Sequence, residues 1–252
     1  MTAIPDRPDL PSPKATWLWW EALIVVLAGV LLGSLPVALV YRVSGAEPGR
    51  GASAPADFAA SGLVELTVLV LLFLWLRQRH PGWARVVRIR GTRADVGYGL
   101  ASGAAITIGA YAFVGLVLVP VLEGLTDEPV GAASQIDEAA IRGAGWIPFV
   151  LAVAVIAPVV EEFFFRGVLY RSIRDRHGIV AGTIASVPLF ALSHFGSGSA
   201  VDVAVLQVAI GLVGLGLTLV YERRKTLVAN VVAHATFNLV TVLAVAGLFG
   251  RG

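Results

Sequence analysis

The candidate catalytic or metal-binding residues of this sequence are ionisable side chains inside apolar segments. The carboxylates Glu161 and Glu162 close one apolar segment, and His194 and His234 each interrupt another. An ionisable group in the hydrocarbon interior costs about 2.5 kcal/mol or more, so each of these residues needs a reason. A carboxylate can take a proton from water, and an imidazole can share that proton or bind a metal ion. The four side chains therefore predict hydrolytic or metal-dependent chemistry.

Two spacings place polar side chains on a common helical face. Glu162 and Arg166 are four residues apart, so we expect an ion pair that makes their depth in the membrane tolerable. Glu161 is rotated by about 100° from Glu162 and lacks this partner. His234 and Asn238 are also four residues apart, and they form a polar stripe on an otherwise apolar helix.

Each of these signals also has a structural explanation. His194 alone is more often a satisfied core histidine, and His234 with Asn238 could serve as an interhelical hydrogen bond. Three helices of one bundle supply the set, however, and bundle cores are where such side chains converge. Glu161, His194 and His234 have the chemistry of a catalytic zinc site with one open water position. The same side chains could also act without metal, as base and oxyanion donors, and both interpretations stay open.

The composition predicts the kind of protein that must position these residues. Of the 252 residues, 57% are hydrophobic and 14% are charged, against about 25% charged in ordinary globular proteins. Such a chain cannot cover a soluble surface, and it is too apolar to be disordered. The 19 basic and 17 acidic residues nearly balance, so nothing indicates a nucleic-acid partner. There is no cysteine, which excludes disulfides and thiolate sites.

Seven apolar segments approach the length of roughly 20 residues that a membrane-spanning helix needs. We therefore predict an all-α, polytopic transmembrane bundle of about seven spans, with an eighth hidden in residues 123–145 as the alternative. The seven segments are Trp17–Tyr41, Phe58–Leu76, Val96–Leu122, Gly143–Val160, Gly178–Val201, Val203–Tyr221 and Thr226–Gly250.

Basic residues predict the orientation of these spans. Most of the 19 Lys and Arg residues fall in alternate loops, which places those loops and the N-terminus on the cytoplasmic side. The organisation we predict is a disordered cytoplasmic tail at 1–16, transmembrane helices at 17–144 and a catalytic transmembrane core at 145–250. No internal repeat supports an inverted-repeat transporter.

Three motifs in the second half of the chain carry a resemblance to a known family. They are Glu161-Glu162-x-x-x-Arg166, Phe190-x-x-x-His194 and His234-x-x-x-Asn238, in this order and in or beside predicted spans. The pattern resembles the type II CAAX prenyl protease family, including its bacterial CPBP, or Abi-type, relatives. The resemblance covers about residues 145–245, and residues 1–144 carry no signature of the family.

The resemblance implies an intramembrane protease with a site that faces the cytosol. Its implied catalytic residues are Glu161 and His194, which activate water, and His234 and Asn238, which stabilise the oxyanion. Glu162 and Arg166 would support the helix that carries Glu161. The family is usually described as metalloproteases, which implies one divalent metal, with zinc as the first candidate, held by Glu161, His194 and His234. A metal-free, glutamate-based mechanism also fits related enzymes.

The function we predict is an endopeptidase of the bacterial cytoplasmic membrane. Its partners would be the lipid bilayer and a peptide or protein substrate, which can itself be membrane-anchored. Two alternatives stay open. A non-enzymatic immunity or scaffold protein of the same fold would not need Glu161, and an ion-coupled transporter would bind its ion at Glu65 and Glu161.

The predicted depths of the site residues disagree. If Glu161 marks the cytoplasmic end of the fourth span, His194 lies sixteen residues beyond Gly178, roughly 24 Å deeper at 1.5 Å per residue. A shared site requires His194 to lie beside Glu161, and we expect a kink at Pro188 or a later helix start to reconcile the two.

Overall fold

The computed structural model describes residues 13–44, 54–126, 129–131, 146–194, 196 and 198–249. Throughout these ranges the regular structure is helical, which confirms the predicted all-α fold. Residues 1–12 of the predicted tail lie outside the described residues. So does most of the 123–145 region in which an eighth span was the alternative.

Ten α-helices and three π-helical stretches make up the described chain. The π-helical stretches Val114–Leu118, Ala152–Ile156 and Phe163–Tyr170 join successive α-helices into longer rods. The α-helices are α1 Trp19–Ser44, α2 Ala54–Arg79, α3 Trp83–Val87, α4 Arg93–Phe113, α5 Val119–Thr126, α6 Trp146–Leu151, α7 Ala157–Glu162, α8 Arg171–Leu192, α9 Ala200–Arg224 and α10 Leu227–Phe249.

Five helical rods among the described residues are long and apolar enough to cross a membrane. They correspond to five of the seven predicted segments, and they cover Trp19–Val43, Ala60–Arg79, Arg93–Leu125, Ala200–Arg224 and Leu227–Ala244. The described residues of the other two predicted segments, Gly143–Val160 and Gly178–Val201, lie mainly on the two arms of one helical hairpin. The chain is therefore an integral membrane protein in which the hairpin differs from the other helices.

Gly178 makes the turn of this hairpin. Its φ of 88° and ψ of 173° interrupt α8, so that the chain reverses between His177 and Ile179. The positive φ is one that side-chain-bearing residues rarely adopt. The returning arm packs closely on the outgoing one, since a Cβ at Gly182 would lie 2.8 Å from the ring of Tyr170. The hairpin thus brings residues on either side of Gly178 into register.

Small residues set the position of α10. A Cβ at Gly99 would lie 2.7 Å from the carbonyl oxygen of Ala229, so α4 and α10 meet backbone to backbone. Gly103 makes an equally close approach to Ala233, one residue before His234. The spacing Gly99-x-x-x-Gly103 predicts this kind of contact, and it fixes the height of His234 in the bundle.

The loops predicted to be cytoplasmic meet at one end of the bundle. Arg174, beside the hairpin turn, donates to Glu222 at the end of α9 (3.1 Å). Arg224 donates to Asp95 in the first turn of α4 (2.6 Å). These contacts join three of the basic loops, so the loops share one side as the charge pattern predicts.

The last residues of the predicted tail lie against the same end. The backbone N–H of Ala15 donates to Asp175 (3.0 Å), and the indole N–H of Trp17 donates to the carbonyl of Val168 (3.0 Å). Trp17 is fully buried. Residues 13–17 are therefore packed on the hairpin, which the prediction of a disordered tail at 1–16 did not anticipate.

Candidate active site

Three of the four predicted catalytic side chains meet in the bundle. Glu161 Oε2 lies 3.4 Å from His194 Nε2 and 3.9 Å from His234 Nε2. Residues from α7, the end of α8 and α10 thus surround one carboxylate oxygen. The Glu161 side chain is 22% exposed, yet its Oε2 atom is buried and has no hydrogen-bond partner. A buried oxygen of this kind awaits a donor such as water.

The hairpin explains why His194 lies at the same depth as Glu161. The helical rod that carries Glu161 runs on past this residue to His177. Glu161 lies seventeen residues before Gly178, and His194 lies sixteen residues after it. Two antiparallel arms of nearly equal length return the chain to the same height. The turn, rather than a kink at Pro188, resolves the predicted mismatch.

Hydrogen bonds orient both imidazoles toward Glu161. His194 Nδ1 lies 2.7 Å from the carbonyl oxygen of Phe190, and His234 Nδ1 lies 2.9 Å from Glu162 Oε1. A carbonyl and a carboxylate only accept, so we assign a hydrogen to each Nδ1. The Nε2 atoms of both rings are the ones that face the catalytic space. Such fixed imidazoles are typical of both catalytic and metal-binding histidines.

Glu162 anchors the cluster from behind. Its carboxylate, with no exposed surface, accepts from Arg166 (2.8 Å), from Asn230 (2.9 Å) and from His234 (2.9 Å). The four-residue spacing predicts the ion pair with Arg166, and the structure confirms it. Three donors on one buried carboxylate offset the desolvation of its charge. Glu161 and Glu162, adjacent in sequence, therefore have different surroundings.

Arg166 connects the cluster to two further elements. It donates to the backbone carbonyl of Gly214 in α9 (2.8 Å), and its guanidinium lies 4.5 Å from the ring centre of Phe190. A Cβ at Gly214 would come within 2.9 Å of that ring. Phe190 therefore leaves no room for a side chain at Gly214, and Phe190 in turn supports His194.

Asn238 makes an interhelical hydrogen bond, which is the structural role that the sequence also allowed. Its Nδ2 donates to the backbone carbonyl of Val153, in the π-helical stretch before α7 (2.7 Å). A role at the oxyanion depends on the second Nδ2 hydrogen and stays a prediction. Asn230, one helical turn before His234, is fully buried on Glu162 and Leu217. The sequence reasoning missed Asn230, although the spacing of 230, 234 and 238 could have indicated it.

A second residue that the sequence reasoning left without a role is Gln207. Its Nε2 donates to the backbone carbonyl of His194 (2.6 Å), which fixes the end of the returning arm on α9. Its Oε1 is buried and has no hydrogen-bond partner. Gln207 therefore offers a further acceptor beside His194.

The donor set has the chemistry of a zinc site, but its present arrangement does not fit one. Zn–N and Zn–O bonds of roughly 2.0–2.1 Å in a tetrahedron imply ligand atoms about 3.3–3.4 Å apart. The 3.9 Å between Glu161 and His234 is wider. Within the part of the chain that the structure describes, no group of three or more His, Cys, Asp or Glu side chains could hold a metal ion. The divalent metal implied by the resemblance therefore stays a prediction.

The fold and the site together define a class: an all-helical membrane protein with a buried carboxylate–histidine cluster. Residues 143–240 match the model of the family described as type II CAAX prenyl endopeptidase Rce1-like. The matched region contains all three motifs, so the predicted resemblance is confirmed over this part of the chain and indicates a peptidase. No curated protein and no solved structure matches the chain.

Proposed function

We propose that the chain is a membrane-embedded endopeptidase in which Glu161 activates the attacking water. The observation that carries this proposal is the buried Oε2 atom of Glu161, which has no hydrogen-bond partner and faces the Nε2 atoms of His194 and His234. A general base must lie within hydrogen-bond reach of the water that it deprotonates. This oxygen is available for that water.

In the proposed reaction the proton of water passes to Glu161, and the hydroxyl oxygen bonds to the carbonyl carbon of the peptide. His194, 3.4 Å from the same carboxylate oxygen, orients the water. When the C–N bond breaks, the proton moves from Glu161 to the leaving nitrogen. The products are a carboxyl group and an amine, which balances the hydrolysis.

His234 and Asn238 are proposed to stabilise the oxyanion. Donation from His234 Nε2 requires a proton on that atom as well as on Nδ1, and the resulting imidazolium would pair with Glu162. Glu162 thereby orients the donor as well as supporting the helix.

The substrate class proposed is a peptide at the cytosolic membrane face, with prenylated CAAX sequences as the first candidates. The matched family's description names such substrates. The proposed location of the protein is a bacterial cytoplasmic membrane with the N-terminus in the cytoplasm. The basic end of the bundle, where Arg174 and Arg224 lie, supports this orientation.

The test is cleavage by the purified protein in lipid nanodiscs. The probes are a farnesylated CAAX peptide, its unprenylated counterpart and a peptide library, with products identified by mass spectrometry. We expect Glu161→Gln and His194→Ala to lower kcat by about 10²–10⁴-fold. The matched controls are Glu123→Gln and His177→Ala, since both residues are exposed and lie away from the cluster.

Three outcomes would contradict the proposal. They are full activity of Glu161→Gln, equal losses in the control variants, or no cleavage of any probe. Activity that survives dialysis against a chelator, with metal content measured on the same sample, is the expected result for a glutamate-activated water. Loss of activity that zinc restores would overturn the metal-free mechanism while leaving Glu161 in the site.

A further inference from the structure

Glu65 is an acidic residue on the interior face of α2. Leu69, Leu72 and Leu76 follow it at intervals of four, seven and eleven residues, which places all four on one helical face. Leu72 and Leu76 are fully buried, and Leu69 packs on the same core. The Glu65 side chain therefore continues the face that α2 turns to the bundle.

This face of α2 lies against the segments that carry the site. α2 contacts α7, which bears Glu161, and both of the π-helical stretches that flank α7. Glu161 and His194 both contribute to the electrostatic environment of the Glu65 carboxyl group. The N-terminal half of the chain, which carries no motif of the family, thus contributes a buried carboxyl oxygen on the helix that packs on the segments carrying the site.

The hydrogen-bonding state of Glu65 matches that of Glu161. Within the described residues, two carboxylate oxygens are buried without a hydrogen-bond partner, and they are Glu65 Oε2 and Glu161 Oε2. An unsatisfied buried acceptor costs about 1–3 kcal/mol, and more when it is charged. A protein can tolerate such a cost at a site where a bound ligand supplies the missing hydrogen-bond donor. A peptide supplies N–H donors, and the amine product of hydrolysis supplies more.

We propose that Glu65 is a catalytic residue of the peptidase, which accepts the hydrogen bond of the scissile N–H and stabilises the leaving nitrogen. This inference rests on the proposed function. The nitrogen gains positive character as it takes the proton from Glu161 and the C–N bond breaks. A carboxyl oxygen of Glu65 that accepts the hydrogen bond of this nitrogen stabilises its charge in a site from which bulk water is excluded.

The proposal also restricts the substrate. In a helix each backbone N–H is bonded to the carbonyl four residues earlier, so a helical segment cannot offer its scissile N–H to Glu65. An extended segment can. The enzyme should therefore cleave peptides that are extended at the scissile bond and reject the same bond inside a stable helix.

An ester substitution tests the proposal directly. The probe is the peptide cleaved in the preceding assay, made once with its scissile amide and once with an ester that lacks the N–H. We expect Glu65→Leu, which removes the acceptor, to lower kcat on the amide by about 10²-fold, as the loss of one oxyanion-type contact does, with little change in KM. On the ester, Glu65→Leu and the unmodified protein should have the same kcat. The matched control, Glu123→Gln, should change neither.

The outcomes separate this inference from the proposed function. An equal loss on amide and ester, or no loss on either, overturns the role of Glu65 while Glu161→Gln remains inactive on both. Activity of Glu161→Gln on both probes overturns the proposed function itself. Thermal unfolding in nanodiscs checks that each variant folds. If Glu65→Leu does not, Glu65→Asp, which keeps the carboxyl group but draws it back, provides the same amide–ester comparison.

Discussion

Helix α1 and the segment Phe163–Tyr170 are both strongly apolar, yet they have opposite surroundings. Along α1 large side chains face outward, with Leu27 59% and Leu35 65% exposed. In Phe163–Tyr170 all eight residues are buried, including the charged Arg166 at 1% exposure. Lipid is as apolar as leucine, so the apolar side chains of α1 gain little free energy from burial in protein.

This difference locates the interior of the protein. Apolar side chains can face lipid, whereas the few polar groups that lipid cannot solvate are buried inside the bundle. Arg166 is buried because Glu162, the Gly214 carbonyl and the Phe190 ring all lie around it. The core of the bundle is thus organised around an ion pair with aromatic support, and α1 covers part of its outside.

The largest expected effect is on Glu162. We expect Glu162→Leu to lower the free energy of unfolding by about 3–5 kcal/mol, because Arg166 is then buried without its partner. His234 and Asn230 also lose an acceptor, so activity should be lost as well. Denaturant titration in micelles measures the stability. Glu123→Leu, at an exposed site, is the control, and a loss of similar size there would contradict the prediction.

A pair of leucines tests the comparison itself. Leu169 is fully buried in the π-helical segment, and Leu27 faces outward on α1. We expect Leu169→Ala to cost about 2–5 kcal/mol, while Leu27→Ala should stay within about 0.5 kcal/mol. The same titration applies to both. Equal losses would show that α1 is covered by protein rather than lipid, for instance in an oligomer.

The smallest effect concerns the turn that returns the chain to the site. Gly178→Ala places a Cβ at a φ of 88° and a ψ of 173°, a region that only glycine adopts readily, which should cost about 1–3 kcal/mol. The hairpin sets the distance between Glu161 and His194, so kcat should fall too. Gly109→Ala is the control, since a Cβ there meets nothing within 4 Å. A Gly178→Ala variant with unchanged stability would indicate that the reversal does not depend on this residue.

Much of the fold and part of the site could be predicted from sequence. Apolar length located the helices, and the four-residue spacing predicted the pair of Glu162 with Arg166. The predicted segments place a cytoplasmic loop before Gly178, but they did not anticipate that this loop is helical and that the chain reverses at Gly178 alone, because glycine also occurs within these helices and nothing local distinguishes a turn. The partner of Asn238 and the role of Asn230 depend on which neighbour each helix meets, and spacing along one helix does not contain that information.

The amino-acid sequence is sufficient to show that this protein is embedded in a membrane and which few residues are energetically costly to place there. That follows from the free energy of transfer, which depends on residue type and segment length alone. Which of those residues come into contact depends on the tertiary structure. Glu161 and Glu162 are neighbours in sequence, but the hairpin and the close packing of α4 on α10 place them in different surroundings. Glu161 has a buried oxygen without a hydrogen-bond partner, whereas Glu162 accepts from three donors. Contacts between distant segments made that distinction, because a helix fixes only the direction of its own side chains.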